Sequence, residues 1–247
     1  MIPRARKATF QQIRHMARMS EIWNGAICLH RRRGSLVIRG SQYLQMMDWL
    51  ADRKHPERAG AFGVDCNDRA QVRALAMGLA GFTHASMTVY DRDQGVYGVA
   101  EMTSPRARVR SWRQLQGETV AILYPAVCPV VRALAMGSML AIGQLGHRYP
   151  YRELVLHSSR IGKWLRKALG GARFAALFDH TDADVCARTV ATALVNAEND
   201  SMRTTGEPAE HSGFVDRLEA LAPGALTPAM LACFPAEAPI VMVFAIV

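Results

Sequence analysis

The chain is 247 residues long, 50% hydrophobic and 21% charged, with a formal net charge of +9. That balance excludes an intrinsically disordered chain and leaves one large domain or two small ones, with enough apolar side chains for a core. Five widely spaced cysteines with no C-x-x-C pair exclude a disulfide framework and a zinc ribbon, and they fit a reducing compartment.

Charge is unevenly spread. Residues 1–60 hold twelve Arg or Lys against four Asp or Glu, and residues 104–173 hold twelve against two. Residues 174–247 reverse the sign, with three against ten. A basic front and middle joined to an acidic tail point to a polyanion on one face. The basic N-terminal stretch lacks the apolar run of a secretory signal. Pro125, Pro129 and Arg132 interrupt the apolar run Val120–Leu145, which reads as a strand and a buried helix rather than a membrane span. A soluble, cytoplasmic protein with no membrane partner is the expectation.

Phe10, Ile13, Met16, Met19 and Trp23 recur at helical spacing and predict a helix over Ala8–Trp23, with Arg14 and Arg18 on one exposed stripe. Asn24-Gly25 ends it. Two short β-prone runs follow, Ala26–Leu29 and Ser35–Ile38, and the segment His30 to Gly34 between them reads as the basic tip of a hairpin. Ser41 caps a helix over Ser41–Arg53, with Tyr43, Leu44, Met47 and Leu50 on its apolar side. His55–Gly60 reads as a linker.

Beyond the linker, strands and helices alternate. Ala61–Val64 reads as a short strand leading through Asp65, Asn67 and Asp68 into a helix, and Ser86–Tyr90 and Val96–Met102 read as a hairpin. Thr119–Tyr124 reads as a strand running through a proline-containing turn into a second helix. Glu153–Leu156 and Phe174–Phe178 read as strands that precede helices over Ile161–Leu169 and Ala183–Ala197. Asn199–Gly213 reads as a polar loop, and Ile240–Val247 as a buried strand. The heptapeptide VRALAMG occurs twice, at Val72–Gly78 and Val131–Gly137, each time on the helix after a strand and a turn. Outside these seven residues the likeness stops, so equivalent structural roles are favoured over a duplication.

The fold class expected is α/β: a basic helix–hairpin–helix module over 1–55, then an open, mostly parallel α/β body over 61–247. Lobes fall at 61–103 and 104–190, and the C-terminal part is unassigned. In such a sheet the strand-to-helix junctions gather at the carboxyl edge, where ligands bind. Asp65, Asn67, Asp68, Tyr124, Cys128, His157, Ser158, Ser159, Arg160 and Asp179 occupy those junctions and form the candidate ligand site. Ser158 and Ser159 precede a helix whose N–H groups favour an anion, although Ser, Asp and Asn at helix starts also serve as caps. The acidic residues from Asp179 to Asp184 complement a helix dipole without a metal, and no cofactor or catalytic signature is present.

The segment IRHMARMSEIWNGAICLHRRRGSLVIRGSQYLQMMDWLADR resembles the second half of the winged helix-turn-helix of LysR-type transcriptional regulators. The stretches RAGAFGVDCNDRAQVRALAMGL, RSWRQLQGETVAIL and RKALGGARFAALFDH are similar to that family's effector domain, which is built like type II periplasmic binding proteins. The resemblance implies a DNA-binding regulator, an oligomer with a small-molecule effector between two lobes. It places Arg14, Arg18, His30, Arg31, Arg32, Arg33 and Arg39 against DNA. Two other readings stand beside it. One is an α/β enzyme acting on a small anionic substrate with Asp65, His157 and Asp179. The other is an RNA-binding or assembly protein of a mobile element, using the basic 104–173 region and oligomerising through Ile240–Val247.

Overall fold

The computed structural model describes residues 2–19, 24–31, 36–91, 95–103, 106–147, 186–205, 213–220 and 226–247. Its strands are β1 (Arg6–Ala8), β2 (Ile27–Arg31), β3 (His84–Asp91), β4 (Val96–Glu101), β5 (Arg108–Ser111), β6 (Thr119–Leu123) and β7 (Ile240–Ile246). All seven join one mixed sheet in the order β1-β7-β6-β2-β3-β4-β5. Among the described strands only β1 and β7 pair in parallel; the other neighbours are antiparallel.

Side chains alternate across the pleat, so each strand presents two different faces. Ile27 and Leu29 of β2, Ala85, Met87 and Val89 of β3, and Ala121 and Leu123 of β6 point into the larger core. That core is covered by α2 (Leu36–Leu50), α3 (Glu57–Gly60), α4 (Arg69–Ala80) and α5 (Pro129–Leu145), and by α6 (Cys186–Thr205), α7 (Gly213–Ala220) and α8 (Pro228–Leu231). The opposite face is covered, among the described residues, by α1 (Phe10–Met19) and a 3-10 turn over Trp112–Leu115. There Ile13 and Ala17 pack with Cys28, Val99, Trp112, Leu115, Val120, Ile122 and Phe244. Among the described residues, a thick helical layer lies on one side of the sheet and a thin one on the other.

Local chemistry explains several of these elements. The Asp68 carboxylate accepts from the Ala70 and Gln71 N–H groups at 3.0 and 3.1 Å and so starts α4. Gly146, at φ 65°, ends α5 by donating to the Ile142 carbonyl. Tyr90 and Tyr97 face each other across β3 and β4 and stack at 4.3 Å.

The α/β class is as expected, and several finer expectations are corrected. The hairpin with the basic tip does not form. Its first run is β2, but both edges of β2 are already taken by β3 and β6, and Leu36–Ile38 begins α2 instead. Residues 1–55 do not stand apart, because β1 and β2 lie within the same sheet as strands from the 61–247 body. The same holds for the lobes 61–103 and 104–190, since β3, β4, β5 and β6 share that sheet. Among the described residues a mostly antiparallel sheet stands where a mostly parallel one was expected.

The supposed linker is structured: α3 lies there, and the Arg58 guanidinium sits over the Trp49 ring at 3.7 Å while pairing with Asp52 at 3.1 Å. Ala61–Val64 is a turn rather than a strand, with Phe62 buried in the core and Gly63 at φ 70°. Helix α6 runs on to Thr205, through the beginning of the expected polar loop. Strand β7 is flanked by β1 and β6, so its edges are not free to join a second copy. The strands and helices expected between residues 151 and 185 lie outside the described residues. No described helix is long and apolar enough to cross a membrane.

Candidate functional site

On the α1 side of the sheet, polar residues occupy matching positions of neighbouring strands. Glu118 precedes β6, His30 lies on β2, His84 and Ser86 on β3, Glu101 on β4, and Arg108 and Arg110 on β5. His30 Nδ1 lies 2.9 Å from Glu118 Oε2, and His30 Nε2 lies 2.7 Å from Ser86 Oγ. Glu101 Oε2 meets His84 Nε2 at 2.9 Å, while its Oε1 accepts from Arg108 at 3.1 Å and Arg110 at 3.3 Å. Arg110 then reaches Glu118 Oε1 at 2.8 Å and also donates to the Gln114 carbonyl. The two imidazoles sit 5.2 Å apart and close the circuit. A ring of charged and polar groups thus runs across five adjacent strands.

The inner members of the ring are dry, while the Arg108 side chain is 52% exposed and that of Glu118 19%. His30 is 0% exposed, Glu101 1% and Arg110 9%. Burial pushes His30 down to about 4, against the pull of Glu118, so the imidazole is neutral near pH 7. A neutral ring that donates from Nδ1 to Glu118 must accept at Nε2 from the Ser86 hydroxyl. Burial opposes the charge on Glu118 as well, but hydrogen bonds from His30 and Arg110 outweigh it and hold the carboxyl down at about 2. Burial likewise works against Arg110, yet Glu101 and Glu118 raise it above the ordinary arginine value. Two carboxylates and two guanidiniums leave the cluster electrically balanced.

Ser86, His30 and Glu118 have the connectivity of a hydroxyl–imidazole–carboxylate relay. Ser86 is 0% exposed, however, which keeps a substrate from its hydroxyl, and the relay acts as a brace between β6, β2 and β3. His30, His84 and Glu101 also offer three ligand atoms within 4.8 Å of one another. Those side chains are already hydrogen-bonded, and two guanidiniums share the Glu101 carboxylate. A divalent cation there would have to displace them, so the donor set fits the ring better than a metal.

The outer surface of this layer has a different character. Arg6, Arg14, His15 and Arg113 are exposed, and β1, α1, β5 and the 3-10 turn contain no Asp or Glu. Arg6 shares the side of Ala8, which packs into the same core as α1. Gln11 and Gln12 add exposed amides along α1.

The residues expected to touch a nucleic acid are dispersed. Arg14 is exposed on α1, and Arg18 lies on the same helix. His30 is buried in the ring and cannot reach a polymer. Arg31 is half-buried, its guanidinium 4.8 Å from the Phe82 centroid and bonded to the Gly78 carbonyl. Arg39 is half-buried on α2, and Arg32 and Arg33 lie outside the described residues.

The expected ligand site is also divided. Asp65 accepts from the Asn67 backbone and side-chain N–H groups, and Asp68 caps α4, so these three satisfy local needs. Tyr124 precedes α5 and Cys128 caps its start. Their neighbour is Arg132, a residue that sequence reasoning did not single out as a ligand group. The signal was its place within the apolar run Val120–Leu145, since the identical heptapeptide leaves its arginine exposed in the first copy, as Arg73, and buried in the second, as Arg132. His157, Ser158, Ser159, Arg160 and Asp179 lie outside the described residues, which leaves Asp65 alone of the expected enzyme trio. No family model, curated protein or solved structure matches this chain.

Proposed function

We propose that the protein is a DNA-binding regulator whose contact surface is the α1 layer rather than a wing. The observation that carries this reading is the sign of the exposed charge there: Arg6, Arg14 and Arg113, with no Asp or Glu in the elements that hold them. Arginine on such a surface releases condensed counterions when it meets phosphates, which gives affinity without sequence preference. A ten-residue helix extends for about 15 Å, and its exposed Gln11, Gln12, Arg14 and His15 are side chains able to bond base edges or phosphates. The resemblance of residues 13–53 to LysR-type regulators is the reason for reading the partner as DNA and the role as regulatory.

The test is binding to duplex DNA over a series of salt concentrations. Arg14→Glu combined with Arg113→Glu is expected to weaken binding and flatten the salt dependence. Arg53→Glu, an exposed charge change after α2, is the control. Equal weakening by the control would remove the α1 assignment, and preference for single-stranded RNA would favour the RNA-binding reading.

A further inference from the structure

We propose that the N-terminal end of α5, with the Arg132 guanidinium lying against it, binds the phosphate group of a small molecule. Arg132 is 7% exposed, and among the described residues its Nε and NH1 atoms are buried without a hydrogen-bond partner. A buried guanidinium in that condition is costly unless something else supplies acceptors. Its position shows where they would come from. Side chains in a helix lean toward its N-terminus, and the Arg132 guanidinium lies 4.2 Å over the ring of Tyr124, which precedes the helix. The cation is therefore held at the end of α5 where the dipole is positive; the Arg132 N–H itself donates to the Cys128 carbonyl at 3.2 Å.

The surrounding backbone is firmly placed. Tyr124 N–H donates to the Pro239 carbonyl, and Ala126 N–H to that of Glu237. On the other side, the Gly25 turn closes against the Arg132 backbone. The Glu237 carboxylate is taken by Arg217 at 2.8 Å. Pro129 offers no N–H, and Val131 N–H reaches only the Cys128 sulfur, at 3.5 Å. Cys128, Pro129 and Val130 are exposed, so this end of α5 faces solvent. The forked donors of a guanidinium match the oxygens of a phosphate. The site lies on the opposite face of the sheet from α1 and does not rest on the DNA reading.

Cys128 provides the readout, because it is the exposed one of the five cysteines. Alkylation of Cys128 in the full chain is followed by peptide mass spectrometry with inorganic phosphate added at constant ionic strength, and with acetate in parallel. Phosphate is expected to slow the reaction saturably, with acetate far less effective. Arg132→Met is expected to weaken this protection about tenfold or more, while Arg73→Met, at the matching position of the other heptapeptide copy, leaves it unchanged. Absence of saturable protection in the unaltered protein, protection by acetate equal to that by phosphate, or undiminished protection in folded Arg132→Met overturns the proposal. The unaltered protein tests the site even if the Arg132 variant does not fold.

Discussion

His30 and Glu118 are 88 residues apart in the chain, yet Nδ1 of one lies 2.9 Å from Oε2 of the other. The contact ties β2 to the start of β6 on the thinly covered side of the sheet. It also couples folding to pH. Because burial holds His30 at about 4, below its ordinary 6.5, the unfolded chain binds this proton more readily than the folded one. The stabilisation is complete above about 6.5 and is lost as pH falls toward about 4. Equilibrium urea unfolding at about pH 7.5 and about pH 5 should show a loss of about 2 kcal/mol. Glu118, held at about 2, adds a further loss below its ordinary 4.5. A His30→Gln variant should flatten the upper part of this dependence; an unchanged slope would show that His30 does not titrate as described.

Glu101 stands at the other junction of the ring, between His84, Arg108 and Arg110. Glu101→Gln preserves the shape but removes the charge that balances buried Arg110. A destabilisation of about 3 kcal/mol is expected by denaturant titration. Pairing it with Arg110→Met should recover part of the loss, and strictly additive effects would argue against direct coupling.

Gly98 lies on β4 opposite Ser111, where a Cβ would collide with the Arg110 carbonyl oxygen. Gly98→Ala should push β5 off the sheet edge and disturb Arg110 at once. The expected cost is about 2 kcal/mol or more, with faster amide exchange in β5 than in β6. A near-neutral change would show that the edge strand moves aside easily.

The thiols should fall into two classes. Burial raises Cys28 well above the ordinary thiol range and pushes Cys233 up to about 12, while Cys66 and Cys186 are also buried. One fast-reacting thiol, Cys128, is expected in the native protein, with the other four reacting only after unfolding. More than one fast thiol in the native state would contradict the burial pattern.

Local signals in the sequence were readable where they agreed with the surroundings. The hairpin around Asp91–Gly95, the cap at Asp68 and the strand-to-helix passage from Thr119 into α5 follow from alternation and helix-start chemistry. Leu36-Val37-Ile38 misled because its β preference is weak against context: β2 has no free edge to receive it, and the helical spacing continues to Leu50. The ring was partly visible in retrospect, since His84, Ser86 and Thr88 alternate with Ala85, Met87 and Val89 along β3. What sequence could not supply was the order of the strands, which brings His30, Glu101 and Glu118 together from separate parts of the chain. His30 was consequently read as part of a charged tip instead of a core residue.

Among the described strands β1 has one neighbour, β7, and Ala8 receives a hydrogen bond from Val247 at 3.0 Å. The earliest strand of this chain therefore waits for the latest before it has anything to pair with. Cutting the chain before Ile240 would strip a flank from β6 and orphan β1 together, so loss at one end is felt at the other.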